Sequence, residues 1–119
     1  MTDHPRFSAQ TLSVLAALEA DPSAWRHGYL LAKQTGLASG TLYPILIRLA
    51  DRRLIEARWE DEQPAGRPRR HLYRLTADGL AAARGALARD ALAREAAARR
   101  RQAATGRAAQ RRLAAEGGP

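Results

Sequence analysis

One segment changes its hydrophobic period halfway along, and this change constrains the fold more than any other feature of the sequence. The segment is Ser39–Trp59, SGTLYPILIRLADRRLIEARW. Its first half places apolar residues at helical spacing, at Leu42, Ile45 (or Leu46) and Leu49. Its second half alternates as a strand does, with Ile55, Ala57 and Trp59 on one face and Glu56, Arg58 and Glu60 on the other. The segment therefore predicts a helix that continues directly into a β-strand.

Two shorter helical patterns precede this segment. The first extends from Ser8, a good N-cap, to about Ala20, and its apolar stripe consists of Leu12, Leu15, Ala16 and Leu18. The second extends from about Arg26 to Thr35, and its inward-facing residues are expected to be Tyr29, Leu30 and Ala32. Both patterns are long enough to predict helices.

A short turn joins the second helix to the third. Gly36 is suited to end the second helix, and Ser39, about three residues later, is the next N-cap candidate. The third helix is predicted from Gly40 to about Arg53, with a slightly irregular start because Pro44 removes one hydrogen bond from its second turn. Two helices joined by a tight turn with glycine predict a helix-turn-helix.

A β-hairpin is predicted after the third helix. The turn-rich stretch DEQPAGRP separates the first strand from a second alternating run, RRHLYRLT, in which His71, Tyr73 and Leu75 share one side. A helix-turn-helix followed by a hairpin is a winged helix-turn-helix, and we assign residues 1–76 to this domain. The predicted fold class is α+β, mostly α.

A long helix is predicted after the hairpin. Thr76 is placed as its N-cap, and the alanine-rich sequence from Ala77 to about Arg101 favours a helix. We assign residues 77–105 to this C-terminal helix. From residue 106 the pattern decays into RAAQRRLAAEGGP, so residues 106–119 are expected to form a frayed or disordered tail.

The net charge favours a polyanionic partner. The chain has 20 basic and 12 acidic residues, a net charge of +8, and Lys33 is its only lysine. Residues 1–51 are balanced, whereas residues 52–119 contain sixteen basic and eight acidic side chains. The excess charge therefore lies in the hairpin and the last helix, and arginine suits phosphates and guanine edges.

The composition argues against catalysis and against a membrane protein. No cysteine is present, and the three histidines lie far apart without a carboxylate at ligand spacing, so neither a thiol nor a metal site is expected. No catalytic residue and no cofactor is assigned. Apolar runs are too short to cross a bilayer and no signal-peptide pattern begins the chain, so the protein is expected in the cytoplasm.

Two clusters are candidates for binding DNA. At the start of the third helix, small residues and free amides favour phosphate contact, and an aromatic one turn later can reach the backbone or a thymine methyl; these residues are Ser39, Gly40, Thr41 and Tyr43. The alternative is a purely structural role, in which Ser39 caps the helix and Tyr43 packs in the core. Arg48, on the same helix, either reaches the DNA backbone or is simply exposed.

The second cluster is the tip of the hairpin. Arg67, Arg69 and Arg70 flank Gly66 and Pro68, where they are expected to project without obstruction. Such a tip suits a minor groove or a phosphate clamp. A solvated charged loop is the alternative, because three acidic residues lie on the same hairpin, namely Glu60, Asp61 and Glu62.

These motifs resemble the PadR family of bacterial transcriptional regulators. The resemblance consists of HGY in the second helix, GTLYP opening the third, LIE with a tryptophan in the wing, and then GRPRR and YRLTADG; it covers about Ser8 to Gly79. It implies a homodimeric winged helix-turn-helix protein, usually a repressor, whose third helix enters the major groove while the wing tip approaches the minor groove. Gly40, Thr41 and Tyr43 match the DNA-facing start of the recognition helix, and Gly66 and Arg67 match the wing tip.

The resemblance also implies how the dimer forms. In the short subfamily the single final helix pairs with its counterpart and with the first helix, and the leucines available for this are Leu12, Leu80, Leu87 and Leu92. The expected function is therefore binding of double-stranded DNA at an inverted-repeat operator, with a small-molecule effector left open. The alternative is a winged-helix protein-interaction module that binds an acidic partner protein through its basic last helix.

Overall fold

The computed structural model describes residues 6–61 and 65–117. Within these residues the chain forms four helices and three short strands, in the order α1 (Ala9–Glu19), β1 (Arg26–His27), α2 (Gly28–Thr35), α3 (Ser39–Asp51), β2 (Ile55–Trp59), β3 (His71–Leu75) and α4 (Ala77–Glu116). This is a winged helix-turn-helix followed by a long helix. The predicted fold class is confirmed.

Local signals explain where α1 and α4 begin. The Ser8 hydroxyl accepts a hydrogen bond from the Thr11 amide at 3.1 Å, and the Thr76 hydroxyl accepts one from the Gly79 amide at 2.9 Å. The Thr76 hydroxyl also donates to the Arg53 carbonyl at 2.8 Å, which ties the start of α4 to the turn after α3. Both predicted N-caps are therefore present.

The start of α3 differs from the prediction. Ala38 occupies the N-cap position and makes no side-chain hydrogen bond, whereas Ser39 is already the first helical residue. The prediction that Ser39 caps this helix is wrong. The first turn carries a bond from the Thr41 amide to the Ala38 carbonyl at 3.0 Å, and the helix continues unbroken through Pro44.

The second helix begins two residues later than predicted. Arg26 and His27 form β1, which pairs with Tyr73 and Leu72 of β3, and the sheet order is β1-β3-β2. The later start changes which residues face inward. Leu31 is fully buried, Ala32 is half-buried against the core, and Tyr29 and Leu30 are exposed, so the predicted inward orientation of those two is wrong.

The strands β2 and β3 form the predicted hairpin. They are antiparallel, with Ile55 opposite Leu75, Ala57 opposite Tyr73 and Trp59 opposite His71. The two alternating sets therefore share one face of the sheet, as expected. Part of the hairpin tip, residues 62–64, lies outside the described residues.

The core lies where α1, α2 and α3 pack on the base of this sheet face. Its buried hydrophobic members are Val14, Leu15, Leu18, Leu31, Leu42, Ile45, Leu46, Leu49, Ile55, Tyr73, Leu75 and Ala83. All four apolar residues predicted to face inward from α3 are buried. The stripe of α1 is centred on Leu15 and Leu18, with Leu12 half-buried and Ala16 exposed.

The chain divides into two compact units, residues 1–87 and residues 88–119. The second consists of the distal part of α4, which is helical to Glu116. The tail predicted to fray from residue 106 is therefore helical through Glu116, and residues 118–119 lie outside the described part. Among the described residues, no helix combines the length and the apolar character needed to cross a bilayer.

Candidate nucleic-acid interface

One face of α3 is left free when its opposite face enters the core. The buried positions recur at helical spacing, so the residues between them point outward: Gly40, Tyr43, Pro44, Ile47, Arg48 and Asp51 are all exposed. Tyr43 is 42% exposed and Ile47 is 61% exposed. Thr41, between the two faces, is half-buried. The exposed face begins at the helix N-terminus, where backbone amides without side-chain caps are found.

The start of α2 supports Tyr43 from behind. A Cβ atom built on Gly28 would lie 2.4 Å from the Tyr43 hydroxyl oxygen and 2.8 Å from its Cζ atom. Only glycine permits this approach. The exposed phenol is therefore held against the backbone of α2 rather than packed in the core.

A cleft of about 310 Å³ lies between the start of α3 and the hairpin. Aromatic and basic side chains line it together with one glycine, namely Gly28, Tyr29, Tyr43, Trp59, Arg69, Arg70, His71 and Tyr73. Tyr73 is buried at its base, and burial, followed by the neighbouring Tyr43, raises the pKa of the Tyr73 phenol. The cleft thus joins the predicted recognition helix to the predicted wing.

The wall that the wing contributes to the cleft is aromatic. The rings of Trp59 and His71 lie 3.8 Å apart between centroids and are inclined by 30°, and the rings of His71 and Tyr73 meet edge to face at 6.1 Å. Trp59 is nevertheless 51% exposed. It is therefore not a core residue.

The arginines of the wing are not equivalent. Glu60 forms ion pairs with Arg67, whose Nη1 lies 2.9 Å from Glu60 Oε1, and with Arg70, whose Nε lies 3.6 Å from the same oxygen. The Arg70 amide also donates to this oxygen at 3.3 Å. Arg67 and Arg70 are both half-buried, so the prediction that they project without obstruction is wrong. Arg69, in contrast, is exposed.

His27 connects the base of the wing to α2. Its Nδ1 accepts a hydrogen bond from the Leu30 amide at 3.1 Å and so caps α2. Burial, and then the positive charge of Arg70, lowers the pKa of the His27 imidazole, while Glu60 opposes them. The neutral ring is the form that can accept this bond.

The arrangement described above is that of a known regulator family. Residues 14–85 match the Transcriptional regulator PadR-like family, a span that contains the helix-turn-helix, the wing and the start of α4. The chain belongs to the PadR-like family. The resemblance stated from the sequence motifs is confirmed, and DNA-binding regulation of transcription follows as the general role.

Solved structures of other regulators share the fold. A PadR family transcription regulator from hypervirulent Clostridium difficile is 26% identical, with a TM-score of 0.60 over 80% of this chain and 97% of that one. A PadR-like regulator from Bacillus cereus is 20% identical, with a TM-score of 0.63 over 77% and 90%. The PcaV transcriptional regulator from Streptomyces coelicolor, solved with its natural ligand, is 24% identical, with a TM-score of 0.66 over 91% and 74%. A comparison with curated proteins found no match.

The PadR-like chain brings only some of the predicted residues together. Tyr43 and Arg69 line the cleft, Gly40 and Thr41 lie two to three residues before Tyr43, and Gly66 adopts a positive φ of 82° in the wing. Arg48 lies elsewhere: it borders a second concavity of about 410 Å³ with Arg6, Phe7 and the end of α3. Arg48 is therefore not part of the cleft.

Five cleft residues were not assigned to the site from the sequence of this PadR-like chain. They are Gly28, Tyr29, Trp59, His71 and Tyr73, whereas Arg70 belonged to the predicted cluster at the hairpin tip. The alternation of β3 placed His71 on the same face as Tyr73, and this pattern could have identified His71 as a neighbour of the site. No sequence pattern indicates Gly28, because its proximity to Tyr43 depends on the packing of α2 against α3.

The four leucines expected at a dimer interface differ in exposure. Leu12 and Leu87 are half-buried, Leu80 packs partly against the core, and Leu92, in the second unit, is 62% exposed. Apolar side chains left partly uncovered are available to a second chain.

Proposed function

We propose that this PadR-like protein binds an inverted-repeat operator as a homodimer and represses transcription there. The observation that carries the proposal is the cleft in which Tyr43 of the recognition helix faces Trp59 and Arg69 of the wing. A DNA strand fits such a cleft, because its phosphates meet arginine while the helix and the wing enter neighbouring grooves.

The N-terminus of α3 is the part that we propose reads the major groove. Ala38 leaves the first amides of the helix without a side-chain cap, so these amides and the Ser39 hydroxyl can bind a phosphate. Thr41 and Tyr43 then lie within the first two turns, the region that contacts base edges in helix-turn-helix proteins. Ile47, exposed one turn later, is suited to a thymine methyl.

The wing supplies the second contact. Arg69 is exposed and unobstructed, whereas Arg67 must leave Glu60 before it can pair with a phosphate. We therefore assign the first phosphate contact to Arg69, with Arg67 beside Gly66 joining it on binding. Arg48 contributes only if the DNA backbone passes the end of α3.

A two-fold symmetric dimer is expected to bind a symmetric operator. We propose that Leu12, Leu80, Leu87 and Leu92 meet their counterparts in a second copy of the chain. Two-fold symmetry then predicts half-sites about one helical turn, roughly 10 base pairs, or a multiple of it apart. A small-molecule effector belongs to this proposal, with the cavity of about 410 Å³ beside Arg48 as its candidate site, because a ligand there would contact the recognition helix.

The decisive experiment is footprinting on the DNA upstream of the protein's own gene. The expected result is one protected inverted repeat at a stoichiometry of two chains. Thr41→Ala and Tyr43→Ala should weaken protection without lowering the thermal midpoint, and Thr105→Ala is the matched control, because that hydroxyl donates to the Arg101 carbonyl within its own helix. If both variants protect the site as the parent does, the recognition helix is misassigned.

The protein-interaction alternative gives a different result. A module for an acidic protein partner would bind duplexes without preferring one promoter over another. The operator proposal requires such a preference together with a steep loss of binding between low and physiological salt.

A further inference from the structure

The distal part of α4 carries a large excess of positive charge. Residues 96–115 contain six arginines and no acidic residue. All of these arginines are exposed, and the helix is continuous through them. The winged helix-turn-helix does not account for this charge, because residues 88–119 form a separate compact unit.

All but one of the arginines lie on one side of this helix. At 3.6 residues per turn, seven of the eight arginines between Ala88 and Glu116 fall within an arc of roughly 140°. We call this the basic helix face; its members are Arg89, Arg94, Arg100, Arg101, Arg107, Arg111 and Arg112. The other side carries the leucines of this unit, Leu92 and Leu113, together with Arg99. A second helix packing on the apolar side would leave the basic helix face free.

Helix stability does not explain the pattern. Asp90 and Arg94 form the favourable i,i+4 pair, at 3.0 Å. Further along, Arg107 and Arg111 occupy i,i+4 positions with like charge, which destabilises a helix by a few tenths of a kcal/mol. Without acidic neighbours between residues 96 and 115, the compensating anions must come from outside the helix.

We propose that the basic helix face binds the phosphodiester backbone of duplex DNA without reading its sequence. Arginine's planar fork matches phosphate oxygens in a bidentate way. Arg89 and Arg111 are roughly 33 Å apart at 1.5 Å per residue, close to one turn of B-DNA, about 34 Å. Repeated phosphates over that length match the face better than the scattered carboxylates of a folded protein do.

This contact goes beyond the operator contact proposed above and does not rest on it. It adds affinity equally to every sequence, whereas the cleft supplies discrimination. Because each neutralised phosphate releases counterions, the logarithm of the association constant should fall with the logarithm of salt by about 0.9 for every arginine engaged.

The test measures salt dependence in full-length protein. In the variant R100Q/R107Q/R111Q the slope should be shallower than in the parent by about 2 to 3, and affinity at about 0.1 M salt should drop more than tenfold. Arg99→Gln and Arg100→Gln are a matched pair that remove equal charge from outside and from within the basic helix face, respectively. The slope should change by about 0.9 for Arg100→Gln and by clearly less for Arg99→Gln. Far-UV circular dichroism checks that the helix is retained.

The duplexes should include the operator and an unrelated sequence of equal length. If the triple variant binds both duplexes more weakly than the parent by the same factor, the proposal holds. It holds also when the parent shows no preference between the two duplexes, a result that would overturn the operator proposal alone. Equal slopes in parent and triple variant overturn it and leave the operator proposal intact. Tighter binding of single-stranded RNA, or stronger competition by polyglutamate at equal charge, would show that duplex DNA is the wrong partner.

Discussion

Tyr43 on the recognition helix rests against the backbone of Gly28, at a distance that leaves no room for a Cβ atom on the glycine. The phenol is therefore held at the mouth of the cleft by a residue from the preceding helix. The two residues lie fifteen positions apart in the chain, on two different helices.

Gly28→Ala should weaken operator binding through Tyr43. The new methyl group would meet the hydroxyl end of an exposed side chain, which can swing away, so we expect little change in thermal midpoint but a displaced phenol. Affinity should fall about as far as in Tyr43→Ala. Titration of operator DNA in a double-mutant cycle checks this. A loss from Gly28→Ala that is just as large in the Tyr43→Ala background would contradict it.

The hydrophobic periods were enough to predict the helix-turn-helix and the hairpin. The buried set on α3 repeats every three to four residues, and the face shared by β2 and β3 repeats every two, so both signals are local. β1 was missed because two residues cannot display an alternation. The missing strand displaced the predicted start of α2 and reversed the expected orientation of Tyr29 and Leu30.

The candidate site was predicted only in part, because its remaining members depend on packing between distant elements. The role of Gly28 is evident only from its contact with Tyr43 in the folded chain. The pairing of Arg67 with Glu60 depends on the hairpin register, which no composition argument supplies. The helix was predicted to end near Gly106, but one glycine in an alanine-rich helix costs only about 1 kcal/mol, and α4 continues past it.

Gly79→Ala should destabilise the whole winged domain. A Cβ atom there would lie 1.6 Å from the Leu54 carbonyl oxygen, and this backbone is fixed by the bond from the Thr76 amide at 3.0 Å. We expect a loss of at least about 2 kcal/mol in the free energy of unfolding, measured with urea. Gly106→Ala is the control, since nothing lies within 4 Å of its Cβ position. That variant should instead raise helix stability by about 0.5–1 kcal/mol.

His27 should make stability depend on pH. The pKa of its imidazole is lowered in the folded chain, so the unfolded chain binds the proton more readily near the ordinary value of 6.5. Stability should be constant above about pH 7, decline as the pH falls through 6.5 towards the folded pKa, and level off below it. Thermal midpoints between pH 5.5 and 7.5 measure this decline.

The control for the pH dependence is His27→Asn. Asparagine keeps a side-chain acceptor for the Leu30 amide but does not titrate. The difference in midpoint between parent and variant should therefore vary with pH over the same window. A constant difference would show that another group is responsible.

Glu60→Gln should strengthen binding to DNA. The carboxylate holds Arg67 at 2.9 Å and Arg70 at 3.6 Å, so both must leave it before they can pair with phosphates. Removing the charge frees them, and the dissociation constant for duplex DNA should fall several-fold at low salt. Glu56→Gln is the matched control: it removes the same charge from the same hairpin, but its partner is Arg74, outside the cleft. An equal gain in both variants would reduce the effect to net charge alone, whereas a larger gain in Glu60→Gln would identify Glu60 as the competitor of the DNA backbone for the arginines of the wing.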